Sequence, residues 1–160
     1  MKKNYPLFKK DILSDEDLYC MLNDFYSDKD SILAGGFDTE ADGLHIIYAR
    51  PFLFQFGWIT ETHVNTYTVD IEQRKDLAYR TITLWNMLAL GLPHNVGANI
   101  KFDLHMLLNL GLPYHGDNIT DLEFYIRLGT DAIQEDKGGA PLALKKFAKR
   151  FIDRDATVHE

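Results

Sequence analysis

The sequence predicts an α/β fold in which helices flank a mixed β-sheet. Three observations lead there. Residues 31–71 hold three apolar, β-branched or aromatic runs separated by turn strings, the pattern of a strand meander. Near residue 75 the apolar spacing lengthens from two residues to three or four, the change from strand to helix. Beyond that point short strand-like and longer helix-like segments alternate, which favours helices layered on a sheet.

Each element has a local reason. "SDEDLYCMLNDF" reads as a helix: Ser14 is the N-cap, Asp17 completes a capping-box variant, and Leu18, Met21, Leu22 and Phe25 share a face. "SDKD" at 27–30 is a polar break. Residues 31–39 read as a strand with small and apolar residues on both faces, hence central and covered. In "PFLFQFGWIT" (51–60), Phe52, Phe54, Phe56 and Trp58 recur on one side and are expected in the core rather than as a base-stacking platform. "HVNTYTVDI" (63–71) is the third strand. In "KDLAYRTITLWNMLALG", Ala78, Ile82, Trp85 and Ala89 share a helical face flanked by Leu77, Leu84 and Leu88. Gly91 is placed to be the left-handed residue that ends this helix, and Pro93 blocks its continuation.

"HNVGANI" follows as a short strand, and "FDLHMLLNLG" as a helix with Leu104, Leu107 and Leu108 on one side. The string LGLP recurs at 90–93 and 110–113; it is too short for a repeat unit and reads as one helix-stop solution used at two exits. "TDLEFYIRLG" is expected to be a helix capped by Thr120 or Asp121 and stopped at Gly129. "TDAIQEDKGGAP" is a loop. "PLALKKFAKRFIDR" is a last amphipathic helix, whose Lys145, Lys146, Lys149 and Arg150 form an ordinary solvated face.

A length of 160 residues fits one domain, and a 46% hydrophobic content supports a sizeable core and excludes a disordered chain. Cys20 is the single cysteine, so no intramolecular disulfide forms and a reducing compartment is expected. No apolar run reaches the ~20 residues of a membrane span, and "MKKNYPLFKK" lacks the apolar segment of a signal peptide. A soluble, cytoplasmic protein with no membrane partner is therefore expected. A formal net charge of -7 argues against a broad basic surface for nucleic acid. It leaves room for an acidic site that meets phosphate through cations. The histidines show no zinc spacing, and there is no glycine-rich phosphate loop.

The chemistry concentrates in "ILAGGFDTEADGL" (32–44). Asp38 and Glu40 are i and i+2 on a strand and project to one face. Two like charges so close raise a pKa unless a cation intervenes, and oxygen-only ligands select hard ions such as Mg²⁺ or Mn²⁺. "DTEADG" is equally a turn-like string, so the pair alone leaves both readings open. "VGANIKFDLHML" then places Asn99 at a strand end and Asp103 in a first helical turn, where the helix dipole favours an ionised carboxylate. Simple turn and capping chemistry accounts for each of these residues taken singly.

In order, Asp38-Thr39-Glu40 with Gly43-Leu44, a downstream Gln55, and then Asn99-Ile100-Lys101-Phe102-Asp103 resemble the first two motifs of DEDD-type 3′–5′ exonucleases, in particular the proofreading exonuclease domain of family A DNA polymerases. "TDLEFYIRL" and "LALKKFAKRF" resemble segments that follow in that family, so the likeness runs from about Asp15 to Arg150. It implies an RNase H-like fold and two-metal hydrolysis of phosphodiester bonds at the 3′ end of single-stranded DNA. By that resemblance Asp38, Glu40 and Asp103 are metal ligands for Mg²⁺ or Mn²⁺ and the catalytic residues. Leu44 wedges against the terminal base, unless it is a buried turn leucine, and Asn99 contacts the terminal nucleotide, with Thr39 and Phe102 also on the substrate side. RNA trimming of the RNase D kind, and a non-catalytic binding module on the same fold, are the alternatives.

The family's third motif, Y-x-x-x-D or H-x-x-x-x-D, has no match. Tyr114 and Tyr125 lead to Asn118 and Gly129, and His115 leads to Thr120, one place short of Asp121. The expectation is therefore a single domain over 1–160, C-terminally incomplete, that is the N-terminal part of an exonuclease domain whose partner is the remainder of a polymerase. Asp153, Asp155 and Glu160 have no matching spacing to substitute. With three acidic ligands, weak metal binding and little nuclease activity are expected, and an exposed apolar face is expected to favour homo-oligomers.

Overall fold

The computed structural model describes residues 5–129. Six strands form one sheet: β1 (Leu7–Asp11), β2 (Ala34–Ala41), β3 (Pro51–Ile59), β4 (Val64–Asp70), β5 (Asn95–Gly97) and β6 (Ile119–Asp121), in the spatial order β1-β4-β3-β2-β5-β6. The chain divides after Thr120. The first unit adds the helices α1 (Asp15–Asp28), α2 (Lys75–Ala89) and α3 (Ile100–Asn109). The second, within the described residues, holds α4 (Leu122–Gly129), entered through Asp121, whose Oδ1 accepts the Glu123 N–H at 2.9 Å.

The expected meander is present: β2 pairs antiparallel with β3, and β3 with β4. Its alternation is one-sided. Phe37, Phe54, Phe56, Trp58, Tyr67 and Val69 are buried on one face, against Leu18, Met21 and Phe25 of α1 and Ala78, Ile82, Trp85 and Ala89 of α2. Phe25 meets Trp58 edge-on at 5.3 Å, and Phe56 meets Trp85 at 4.8 Å. Burial of such side chains stabilises by roughly 1.5–3 kcal/mol each, before entropy is counted. Ser14 caps α1 as its sequence requires, its Oγ accepting the Asp17 N–H at 3.2 Å while donating to Asp17 Oδ2 at 2.8 Å.

The end of α1 is tied to the β3–β4 hairpin through one carboxylate oxygen. Asp28 Oδ2 accepts Trp58 Nε1 at 2.8 Å and Asn65 Nδ2 at 2.9 Å, and pairs with His63 Nε2 at 2.8 Å. The polar break expected at 27–30 is accordingly no break: α1 runs to Asp28 and continues as a 3₁₀ turn, Lys29–Ser31.

Several local expectations are corrected. β1 pairs parallel with β4, yet all five of its residues are exposed, so no alternation announces it. β2 is covered on one face only; Gly35, Phe37 and Thr39 are buried, whereas Asp38 and Glu40 face solvent. Phe52 leaves the core at the irregularity between Glu40 and Ala41, where register shifts so that Ala41 opposes Pro51. On α3 the buried residues are Ile100, Asp103, Met106 and Leu107, while Leu108 is exposed. Cys20 is exposed, outside the apolar stretch expected for it.

The two LGLP strings end their helices differently. Gly111 has φ +74 and closes α3 with paired bonds, Gly111 N–H to Leu108 O at 2.9 Å and Leu112 N–H to Leu107 O at 2.9 Å, a Schellman motif. Gly91 has no positive φ; α2 instead ends in a tight turn, with the Gly91 N–H on Leu88 O at 3.1 Å. No described helix is long and apolar enough to cross a membrane. The expected loop over 130–141 and helix over 141–154 lie outside the described residues, as do Asp153, Asp155 and Glu160.

Candidate functional site

β2 is the central strand, and its two neighbours differ in reach. β3 follows it along its whole length, but β5 pairs only with Gly35 and Gly36. The lack of a side chain at Gly36 permits that approach, since a Cβ there would stand 2.5 Å from the Val96 carbonyl oxygen. From Asp38 onward β2 outruns its parallel partner. The chain crosses over β2 between β4 and β5, so this is a point where strand order reverses, the usual ligand position in open α/β sheets.

On that side the Thr39 N–H has no strand to meet. Asp103 meets it: Oδ1 accepts the Thr39 N–H at 2.8 Å and the Thr39 hydroxyl at 2.7 Å. Asn99 aims α3 for this contact. It takes a left-handed backbone, φ 56 and ψ 40, between β5 and the helix. A non-glycine residue there costs about 1–2 kcal/mol, least for asparagine. Asp103 then falls in the first turn of α3 and is 3% exposed.

Electrostatics join the three acids. Asp38 and Glu40 extend from the exposed face of β2, as their spacing predicts. Among the described residues no side-chain hydrogen bond or ion pair engages either of them. Desolvation first, then the charges of Asp103 and Glu40, push the Asp38 carboxyl up to about 6. Burial also raises Asp103, against the lowering effect of its Thr39 hydrogen bonds, and the Glu40 charge adds to the rise. Burial of Asp103 therefore works against the helix dipole expected to favour its ionised form.

These residues fit a hard divalent cation in chemistry. All donors are carboxylate oxygens, Asp38 and Asp103 are both raised by burial and neighbouring carboxylate charge, and Asp103 is held in orientation by Thr39. Among the described residues, no group of three or more His, Cys, Asp or Glu lies close enough together to hold a metal ion. Three ionised carboxylates repel, so gathering them costs Coulomb energy that a divalent cation returns.

The remaining predicted residues are placed as follows. Leu44 is 92% exposed in the β2–β3 loop, which removes the alternative of a buried turn leucine. Asn99 is the residue before α3, and Phe102 beside Asp103 is half-buried. Thr39 is buried with both donors on Asp103, a support role that its motif position does not reveal. Gln55 lies directly across from Asp38 in the β2–β3 register, so the two side chains share the exposed face.

No family model matches the chain, and neither does any curated protein. Solved structures do resemble it. The catalytic core of RRP6 from Trypanosoma brucei superposes with a TM-score of 0.58 at 17% identity, covering 92% of this chain and 35% of that one. Brucella melitensis NrnC gives 0.55 at 13% identity, over 99% of this chain and 65% of that one, and has been solved with bound Mg²⁺. Trypanosoma brucei RNase D in complex with GMP gives 0.57 at 15% identity, over 79% and 36%. These neighbours are DEDD-type 3′–5′ exonucleases. At such identities the likeness establishes the RNase H-like fold alone. The chain spans about a third to two-thirds of the length of these neighbours.

Proposed function

We propose that this chain carries a divalent-metal-dependent 3′–5′ exonuclease site that trims single-stranded RNA 3′ ends in the manner of RNase D. One observation carries the reading. Asp38 and Glu40 project side by side from the end of the central strand, and Asp103 is fastened to the residue between them. The fold neighbours, RNase D among them, support RNA over DNA as the substrate. A second reading, the proofreading exonuclease of a family A DNA polymerase, is favoured by the D-T-E-x-x-G-L string at 38–44 and the N-x-x-x-D string at 99–103. The two readings differ at the 2′-hydroxyl of the substrate.

In this reading Asp38, Glu40 and Asp103 hold the cations. A divalent metal held there would supply a hydroxide nucleophile near neutral pH and positive charge for the departing 3′ oxygen. The chain's own contribution is positional. Thr39 fixes the rotamer of Asp103, Leu44 stands where it can part the terminal base from its neighbour, and Asn99 and Phe102 border the terminal nucleotide. A fourth acidic ligand is not identified among the described residues, so the expected turnover of the chain by itself is slow.

The test uses 5′-labelled RNA and DNA oligonucleotides of one sequence, with the protein in excess and Mn²⁺ or Mg²⁺ present. The expected result is slow, metal-dependent, one-nucleotide shortening from the 3′ end, faster on RNA and abolished in Asp38→Asn and Asp103→Asn. Faster shortening of DNA selects the second reading. Shortening that persists in both variants overturns the assignment of Asp38 and Asp103; no shortening and no Mn²⁺ binding by the unaltered chain leaves a non-catalytic module on this fold.

A further inference from the structure

The loop that joins β2 to β3 holds apolar side chains out into solvent. Leu44 is 92% exposed, Ile47 68%, Tyr48 76% and Ile46 41%. Scattered exposed apolar residues need no explanation, but a contiguous set marks a contact surface. This loop is also well fastened. The Asp42 N–H reaches Arg50 O at 3.1 Å, and Asp42 Oδ1 accepts the Arg50 N–H at 2.6 Å. His45 O accepts the N–H groups of Tyr48 at 3.1 Å and Ala49 at 2.8 Å, and Ala49 is buried as a plug. From α3, Asn109 Nδ2 donates to Ile46 O at 2.8 Å and Ala49 O at 3.4 Å. These bonds fix the loop backbone with Leu44, Ile47 and Tyr48 exposed. A partner therefore meets a surface whose ordering cost is already met.

The same two elements that position the acids position this loop. It starts two residues after Glu40, and it is clamped by the last residue of the helix whose first turn bears Asp103. At its crest the rings of His45 and Tyr48 lie 4.7 Å apart and 31° from parallel, each shielding one face of the other. An exposed aromatic and apolar loop that follows the two carboxylates of β2 is chemically unsuited to a phosphate chain. It suits the faces of unpaired nucleobases, which stack on such rings with little regard to sequence.

We infer that the loop from Asp42 to Arg50 is a nucleobase platform, in which Tyr48, backed by His45, stacks on an unpaired base of the strand whose 3′ end reaches Asp38, Glu40 and Asp103. The inference rests on the exonuclease reading for the direction of the strand, and its test separates the two. A single-stranded hexanucleotide carrying 2-aminopurine near its 3′ end, with fluorescein at the other end, is titrated with the protein in Mg²⁺. The unaltered chain is expected to bind it and quench the 2-aminopurine. Tyr48→Ala is expected to weaken binding about tenfold and remove the quenching, and Tyr48→Trp to retain both. Binding and quenching by Tyr48→Ala and His45→Ala equal to those of the unaltered chain overturn the platform alone, when Asp38→Asn still abolishes shortening. Weakened binding by Tyr48→Ala, together with shortening indifferent to Asp38→Asn, upholds the platform and overturns the exonuclease reading. Failure of the unaltered chain to bind the oligonucleotide overturns both.

Discussion

Thr39 and Asp103 lie 64 residues apart in sequence and meet through two donors on one oxygen, the Thr39 N–H at 2.8 Å and its hydroxyl at 2.7 Å from Asp103 Oδ1. The contact answers two needs at once: a strand-end N–H without a ladder partner, and a buried carboxylate that must be held in one rotamer. Thr39→Val keeps the shape and the backbone donor but removes the hydroxyl. It should cost roughly 1–3 kcal/mol in urea unfolding, the range for a hydrogen bond to a charged or buried acceptor. Thr39→Ser should recover most of that loss. Equal stability of the valine variant and the unaltered chain would remove the hydroxyl from the account.

Asp38 sets a pH dependence whose direction is fixed. Its carboxyl is raised from 3.8 to about 6 in the folded chain. The neutral form is thus the favoured one in the fold. Its stabilising contribution is complete below pH 3.8 and is lost as pH rises through about 6. In EDTA, Asp38→Asn should therefore melt higher than the unaltered chain at pH 7.5, with the gain fading toward pH 4. Because Asp38 is open to solvent, screening limits the gain to on the order of 1 kcal/mol, or about 2–4 °C in melting temperature. A melting difference that stays constant from pH 4 to 7.5 contradicts it.

Divalent metal should reverse that order. Ions that bind only the folded chain add RT ln(1 + [L]/Kd), about 1.4 kcal/mol at a concentration ten times Kd. Thermal melts with and without Mg²⁺ should show this gain for the unaltered chain and its absence in a variant carrying Asp38→Asn and Glu40→Gln together. The chain that is less stable in EDTA becomes the more stable one in metal. A Mg²⁺ shift that survives in the double variant places the ion elsewhere.

The two helix ends make a controlled pair. Gly111→Ala forces a Cβ into φ +74 and should destabilise by about 1 kcal/mol or more. Gly91→Ala meets only the Leu88 carbonyl oxygen at 3.5 Å, an ordinary contact, and should change stability by less than about 0.5 kcal/mol. Denaturant midpoints for the two variants decide the matter; equal losses would mean that both glycines serve the same stop.

Removing the shared acceptor at the hairpin should be severe. Asp28→Ala strands three part-buried donors, on Trp58, His63 and Asn65. A loss of roughly 2–4 kcal/mol is expected from the unmet groups. Asp28→Asn keeps an acceptor oxygen and should lose less. Chemical denaturation followed by tryptophan fluorescence reads the difference directly, because Trp58 itself reports the contact.

The parts of this architecture that were legible in sequence are those where burial is one-sided and periodic. Phe54, Phe56 and Trp58 alternate inward, and Ala78, Ile82, Trp85 and Ala89 recur at helical spacing, because a single apolar neighbour layer imposes a single period. β1 was silent because none of its side chains is buried; its backbone pairing with β4 leaves no mark on residue type. Gly91 and Gly111 sit in identical four-residue strings, yet only one adopts a positive φ, so the string did not determine the backbone. At the site, the i and i+2 spacing placed Asp38 and Glu40 on one face. The raised pKa of Asp103 was not readable, since it depends on burial against a strand residue 64 positions away.

The strand order also dictates a temporal sequence. The β2–β3–β4 meander closes through connections local in sequence, the Asp42–Arg50 loop and the turn after Ile59, whereas α3 docks on β2 only after the chain has passed through α2 and crossed to the opposite side of β2 in the strand order. Distant pairings carry a larger loop-closure cost and tend to form late on the route to the native state. Refolding from denaturant should recover the fluorescence of Trp58 before Asp103 reaches Thr39, and early species on that route will have a nearly finished core with the three acids still apart.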